Sequence, residues 1–128
     1  MGLLSRKMLY NSATYYPDSI NMIHEPITIT TPLYGYNICS FDEGALTLPF
    51  PSVSNVGIKL CIRGIHEWCK IILQSPYSND KQTKSIINGN NNYCENITID
   101  AVKCYCVSLL CIDTGIVGDN QYMWLQLP

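Results

Sequence analysis

The chain has 128 residues, the usual size of a single domain, and is long enough to bury a hydrophobic core without obligatory disulfides or metals. Charged residues make up only 14% of it, where a typical soluble domain has about 25%, so we expect neighbouring molecules to cover part of the surface. The net charge of −2, with no more than two basic residues adjacent, argues against nucleic-acid binding, and no apolar run approaches the roughly 20 residues of a membrane helix.

Residues 1–25 are predicted to form an N-terminal arm or short helix in front of a single β-sandwich domain over residues 26–128. The first residues lack the apolar centre of a signal peptide, so we do not expect secretion by that route. Ordering an arm costs about 1–2 kcal/mol per residue in backbone entropy. The arm must therefore bury its apolar side chains against a β-face, either in its own domain or, as we expect, across a subunit boundary. The predicted interface residues are Leu4, Met8, Tyr10, Tyr15 and Tyr16.

From residue 26 onward, apolar and polar residues alternate in short runs, which is typical of half-buried strands. Turn signals separate these runs every ~8–12 residues, and the prolines leave little room for long helices. The pattern predicts an all-β fold, an antiparallel β-sandwich or jelly-roll-like domain of about eight short strands. The Asn-Gly stretch at 88–92 predicts a tight hairpin turn.

The alternation also predicts which side chains face the core. Ile58, Leu60 and Ile62 share one face of a strand, and we expect them to point inward. Alternate residues of 104–112 should do the same. In the last strand the inward set is one of two alternatives: Tyr122 and Trp124, or Met123, Leu125 and Leu127.

Several short motifs of residues 45–128 follow one another in a familiar order. They are Leu46-Thr47-Leu48-Pro49, Gly57-Ile58-Lys59-Leu60-Cys61-Ile62, Ile71-Ile72-Leu73, Ile86-Ile87-Asn88-Gly89, Ile97-Thr98-Ile99, Val107-Ser108-Leu109 and Tyr122-Met123-Trp124. In this order they resemble the small β-structured head and shaft-cap domains of phage tail fibres and large-virus virion fibres. The resemblance implies a β-sandwich, often trimeric, that is a structural or attachment part of a virion, and hence a location in the virion or the host cytoplasm.

The seven cysteines are an odd number, which argues against a secreted disulfide framework, and we expect most of the thiols to be reduced and buried. Cys104 and Cys106 share one face of a predicted strand, and Cys111 follows at the opposite parity. Zinc needs about four ligands, and the chain has no C-x2-C turn of the kind that structural zinc sites use. We therefore predict no metal and no cofactor, with these three thiols as weak candidates. The residues that would complete such a set are Cys61, Cys94 or His66.

Two histidine–carboxylate neighbours, His24-Glu25 and His66-Glu67, are the acid–base candidates. Adjacent residues of a strand point to opposite faces, so neither pair forms a dyad by itself. Cys69 follows His66 by three residues, but a nucleophilic thiol needs further groups that activate it. The nucleophile-elbow, Walker and dinucleotide glycine patterns are absent from the sequence, so we do not expect an enzyme.

These observations favour a non-enzymatic structural or interaction protein, a virion component that assembles with itself and contacts other virion proteins. A homotrimer is favoured by the fibre resemblance, and neither nucleic acid nor membrane is an expected partner. A first alternative is a carbohydrate- or peptide-binding module that uses surface tyrosines, because a tyrosine combines an apolar ring with a hydrogen-bonding tip. A second alternative is a small zinc-stabilised domain. Asn96-Ile97-Thr98 matches the glycosylation sequon, which we interpret as a chance match.

Overall fold

The structure is a computed structural model that describes residues 20–28, 35–100 and 106–128. This part of the chain contains twelve β-strands and one short 3-10 turn, Val53–Asn55. The strands in chain order are β1 (Ile20–Ile23), β2 (Gly35–Cys39), β3 (Glu43–Thr47), β4 (Lys59–Gly64), β5 (Lys70–Gln74), β6 (Tyr77–Ser78), β7 (Lys81–Gln82), β8 (Ile86–Ile87), β9 (Tyr93–Cys94), β10 (Asn96–Asp100), β11 (Cys106–Asp113) and β12 (Tyr122–Gln126).

The strands form two sheets that share one core, with β6 and β7 as a separate two-stranded hairpin. The larger sheet has seven strands in the order β1-β2-β4-β11-β12-β8-β9, and the smaller has three in the order β10-β5-β3. One hydrophobic cluster joins Leu60 and Leu109 of the larger sheet to Leu46, Ile71 and Ile99 of the smaller. The prediction of an all-β, sandwich-like fold is confirmed.

Both sheets are mixed, which corrects the prediction of purely antiparallel strands. Four pairs run parallel: β1 with β2, β2 with β4, β3 with β5, and β8 with β12. Alternation in the sequence tells which side chains share a face, but it carries no information about strand direction. The count also exceeds the predicted eight, because two-residue strands such as Ile86–Ile87 are too short to give a period.

The structure describes only the last residues of the predicted N-terminal arm or short helix. Residues 20–23, which the sequence placed in the arm or short helix, are an edge strand that pairs in parallel with β2. Asn21 donates its side-chain amide to Asn37 Oδ1 at 3.3 Å, and the buried Asn37 amide donates to the Cys61 carbonyl at 3.4 Å. Residues 1–19 lie outside the described part of the chain.

The core takes the faces that the alternation predicts. Ile58, Leu60 and Ile62 are buried, and β11 buries its alternate residues Val107, Leu109 and Cys111. On β12 the inward set is the one that contains Trp124, because this residue lies opposite Cys111 across the strand pair. The indole N–H of Trp124 donates to the Pro49 carbonyl at 2.8 Å, so the largest core side chain has no unsatisfied polar atom.

The predicted turn at 88–92 connects β8 to β9 as a hairpin. The Asn88 side-chain oxygen accepts the backbone N–H groups of Asn90 and Asn92, at 2.9 and 3.0 Å. The positive φ of 63° falls on Asn91 and not on Gly89. Asparagine tolerates this conformation better than most residues, so the turn forms without using the glycine.

We expect Leu60→Ala to lower the free energy of unfolding by about 2–5 kcal/mol, because the fully buried side chain would leave a cavity in the shared core. Urea denaturation followed by circular dichroism measures this loss. Lys59→Ala, on the exposed face of the same strand, is the control and should change stability by less than about 0.5 kcal/mol. An equally small loss for Leu60→Ala would contradict the inward assignment of this face.

Candidate functional site

The structure separates the cysteines that the sequence grouped as weak metal candidates. Cys106 is exposed on one face of β11, whereas Cys111 is buried on the other, with its Sγ 3.9 Å from the Ser52 carbonyl. Cys104 lies outside the described residues. Within the described ranges, no three His, Cys, Asp or Glu side chains come together as a metal-binding group would require. Cys106 and Cys111 therefore do not share a site.

Cys106 meets a different thiol. Its Sγ lies 3.1 Å from Sγ of Cys61, which is on the neighbouring strand β4. Both side chains are on the face of the larger sheet that points away from the core. From the sequence, Cys61 is predicted only as a residue that would complete a zinc set. The two thiols meet because β4 and β11 are neighbouring strands, and the sequence does not show that these strands pair.

The buried thiols are poor nucleophiles. Burial, with a smaller contribution from neighbouring Cys69, raises the pKa of Cys39 to about 12. Burial likewise raises the pKa values of Cys69 and Cys111, which keeps both protonated at neutral pH. The Cys69 thiol donates to the Phe41 carbonyl at 3.1 Å inside the core, so it lacks the depressed pKa and the access of a catalytic cysteine.

The two histidines converge on one serine and not on their neighbouring carboxylates. His24 Nδ1 lies 2.7 Å from the Ser40 hydroxyl, and His66 Nε2 lies 2.9 Å from the Ser40 carbonyl. The ring of His66 stacks on Trp68 with centroids 5.8 Å apart, and Trp68 donates to Asp42 Oδ1 at 3.0 Å. A serine–histidine contact alone lacks the oriented base and the oxyanion donors of a hydrolase. These contacts anchor the chain beside β2.

Two clefts share the exposed Phe50 in their lining. The first, of about 500 Å³, has a mixed lining that includes Tyr122, Asn120, Asp119 and Lys84. The second, of about 560 Å³, is more apolar and ends at the exposed ring of Tyr77. Hydrogen bonds from hydroxyl groups fix the wall of the first cleft. Ser75 Oγ lies 2.7 Å from Thr83 Oγ1 and accepts the N–H of Ser85 at 2.9 Å. An aromatic wall with polar groups at its rim can hold a small polar ligand.

The outward faces of the two sheets differ sharply in polarity. The three-stranded sheet presents mainly polar and charged residues to solvent, as an ordinary surface does. The outward face of the seven-stranded sheet, called here the outer face, has two charged residues among those described on its five longer strands, Lys59 and Arg63. The apolar members of the outer face that are exposed are Ile20, Met22 and Tyr36, while Ile38, Ile87, Leu110, Ile112 and Leu125 are half-buried and Met123 is fully buried.

The predicted interface residues Leu4, Met8, Tyr10, Tyr15 and Tyr16 all lie outside the described residues. The outer face is not predicted from the sequence, although alternate apolar residues in β1 and β2 contribute to it. The sequence pattern that could have revealed this face is a strand in which both the odd and the even positions are apolar. In β12, for example, Met123 and Trp124 are both fully buried although they point to opposite sides.

Comparisons with protein-family models, with curated proteins and with solved structures give no match. The resemblance to virion fibre domains therefore stays a prediction. No helix in the described parts of the chain has the length and apolar character needed to cross a bilayer.

The raised pKa of Cys39 predicts a stability loss at alkaline pH. A thiol in the unfolded chain ionises near its ordinary pKa of 9.0, whereas native Cys39 keeps its proton until about pH 12. The unfolded state therefore binds fewer protons in this range, and stability falls from about pH 9 to about pH 12, by at most about 1.4 kcal/mol per pH unit from this thiol.

Urea unfolding of the wild type and of Cys39→Ala between about pH 7 and pH 11 measures this difference. The wild-type curve should fall more steeply with pH, because the other titrating groups are common to both proteins. Parallel curves would contradict the assignment of the slope to Cys39.

Proposed function

We propose that this chain is a non-enzymatic structural or interaction domain that assembles with itself through the outer face of its seven-stranded sheet. The observation that carries the proposal is the contrast between the two sheets of one molecule, one polar on its outward side and the other apolar. The fibre resemblance adds a closed trimer as the favoured assembly and a virion as its setting.

The most exposed apolar side chains of the outer face lie at its β1–β2 end. Ile20, Met22 and Tyr36 are 68%, 49% and 47% exposed. Parallel pairing places Ile20 beside Tyr36 and Met22 beside Ile38, so these side chains form one continuous patch. Exposed apolar patches of this kind on a soluble protein mark interaction surfaces.

A second copy of the chain is the occupant that the composition favours. Charged residues are only 14% of the sequence and the net charge is −2, so two copies repel each other weakly. Lys59 and Arg63 lie on the outer face, but their long stems can cover apolar surface while their charged ends reach water. Burying apolar area of the outer face between two copies would stabilise the assembly by about 25 cal/mol per Å². A standard interface buries roughly 800 Å² per partner.

The chemistry of the titratable groups supports the absence of catalysis. The buried thiols Cys39, Cys69 and Cys111 stay protonated. Both histidines are committed to Ser40, in contacts that fix the chain.

We expect the wild type to be oligomeric at micromolar concentration, and Tyr36→Glu or Met22→Glu to weaken self-association at least about tenfold, equivalent to about 1.4 kcal/mol. A buried, unpaired carboxylate would oppose burial of the patch in an interface. Size-exclusion chromatography with light scattering over a concentration series measures the change, and circular dichroism checks the fold.

The control is Thr98→Glu, which adds the same charge to the exposed, polar face of the three-stranded sheet and should leave association unchanged. A wild type that stays monomeric at the highest soluble concentration would contradict the proposal. Equal weakening by Thr98→Glu would show that charge and not the patch controls association.

A second candidate function, carbohydrate or peptide binding, is favoured by the first cleft beside Phe50. Tyr122 and Phe50 supply aromatic surface there, and Asn120, Asp119 and Lys84 supply hydrogen-bonding groups. Sugars bind to such combinations because their C–H faces stack on rings while their hydroxyl groups need donors and acceptors. Five tyrosines of the first third of the chain, Tyr10, Tyr15, Tyr16, Tyr34 and Tyr36, suggest this alternative in the sequence; the first four are outside the described residues, and Tyr36 is exposed on the outer face, away from this cleft.

This second function predicts saturable binding of a neutral oligosaccharide in calorimetric titration of a glycan panel. Phe50→Ala should weaken that binding at least about tenfold, because the stacking ring is lost. Val53→Ala removes an exposed apolar side chain that does not line the cleft, and serves as the control. Absence of binding across the panel, or equal binding by Phe50→Ala, would rule out this cleft as a sugar site.

A further inference from the structure

Two thiols on the outer face are within reach of each other although 45 residues separate them in the sequence. Sγ of Cys61 on β4 and Sγ of Cys106 on β11 are 3.1 Å apart. They are diagonal neighbours in the antiparallel pair, because Cys61 lies directly opposite Ser108 and Cys106 lies opposite Arg63. Cys106 is exposed and Cys61 is half-buried, so reagents in solution reach the pair through Cys106.

The separation of the two sulfur atoms distinguishes between the reactions open to them. A disulfide bond is about 2.05 Å long, so its formation requires the two sulfurs to approach each other by about 1 Å. Two thiolates on one tetrahedral zinc ion, with bonds of about 2.3 Å, are held about 3.8 Å apart. The observed distance is shorter than the metal spacing, and no further ligand group joins the pair within the described residues.

The other described thiols differ from this pair in access. Cys39, Cys69 and Cys111 are buried, and burial raises the pKa of each. Cys94 is half-buried on β9, at the far edge of the larger sheet. An oxidant that acts on the folded protein therefore meets the outer-face pair first.

We propose that Cys61 and Cys106 are an oxidation site that forms a reversible intramolecular disulfide by exchange with a small disulfide such as glutathione disulfide. The Cys106 thiolate attacks one sulfur of glutathione disulfide, which forms a mixed disulfide and releases one glutathione thiolate. The Cys61 thiolate then attacks the Cys106 sulfur and releases the second glutathione. Two protein thiols lose two electrons and two protons, and one glutathione disulfide becomes two molecules of glutathione.

The bond would tie together two neighbouring strands at the centre of the larger sheet. Because it closes a loop of 45 residues, it restricts the unfolded chain strongly. Oxidation should therefore raise the apparent melting temperature by about 5 °C or more, and a reductant should reverse the rise. The bond itself needs only the geometry within one chain, but Cys61 lies beside Tyr36 on the outer face, so the oxidant reaches the pair in the unassociated chain.

The test is to incubate the full, folded chain with excess glutathione disulfide, trap remaining thiols by alkylation in denaturant, and map the products by peptide mass spectrometry. The expected product is a Cys61–Cys106 disulfide, with five of the seven thiols still titratable. Cys61→Ser should instead retain glutathione on Cys106, since the second attack is lost. Cys94→Ser is the control and should form the same disulfide as the wild type.

Two outcomes would overturn the proposal. One is a wild type in which glutathione remains on Cys106 with no internal bond, because the second thiol would then be out of reach. The other is a disulfide that maps to a different pair, such as Cys104 with Cys106. Circular dichroism of both serine variants confirms that they are folded, and reduction of the wild-type product by dithiothreitol must restore seven thiols.

Discussion

The pleat of β11 is the constraint on which the rest of the sandwich depends. This strand pairs with β4 on one side and β12 on the other, so its register is held by two ladders at once. A slip of one residue would move Val107, Leu109 and Cys111 from the core to the outer face. The burial of these alternate residues against the smaller sheet therefore determines where every neighbour of β11 points.

The position of Trp124 follows from that register. It lies opposite Cys111, enters the core and donates its indole N–H to the Pro49 carbonyl. The hydrogen bond joins β12 to the segment that follows β3, so the same residue contributes both buried area and a directional link between the sheets. Burying an indole without a partner for its N–H would cost about 1–3 kcal/mol, which is why this contact matters for the fold.

The pleat that buries the core also creates the outer face. With Leu60 and Leu109 inward, Cys61 and Cys106 must point outward, and the parallel partner β2 adds Tyr36 beside Cys61. Few charged residues therefore lie on the outer face, whereas the three-stranded sheet has an ordinary polar exterior. The apolar outer face and the accessible thiol pair are both consequences of this one arrangement.

The sequence by itself indicated most of the longer strands and, for β4 and β11, their inward faces. Ile58, Leu60 and Ile62 alternate with polar or small residues. Because alternate residues of a strand lie on one face, the strand can bury all three together. It also indicated the turn at 88–92, because asparagine and glycine are the residues that such a turn accepts. Local chemistry is sufficient for these features, since each depends on residues only a few positions apart.

Only the tertiary structure decided which strands are neighbours and in which direction they run. Cys61 and Cys106 come together because β4 pairs with β11, and Phe50 and Tyr122 line one cleft because the Trp124 indole joins β12 to Pro49. These contacts join residues that are 45 or more positions apart in the chain. Packing of the shared core determines these contacts, and the alternation within a single strand does not indicate which strands will pair.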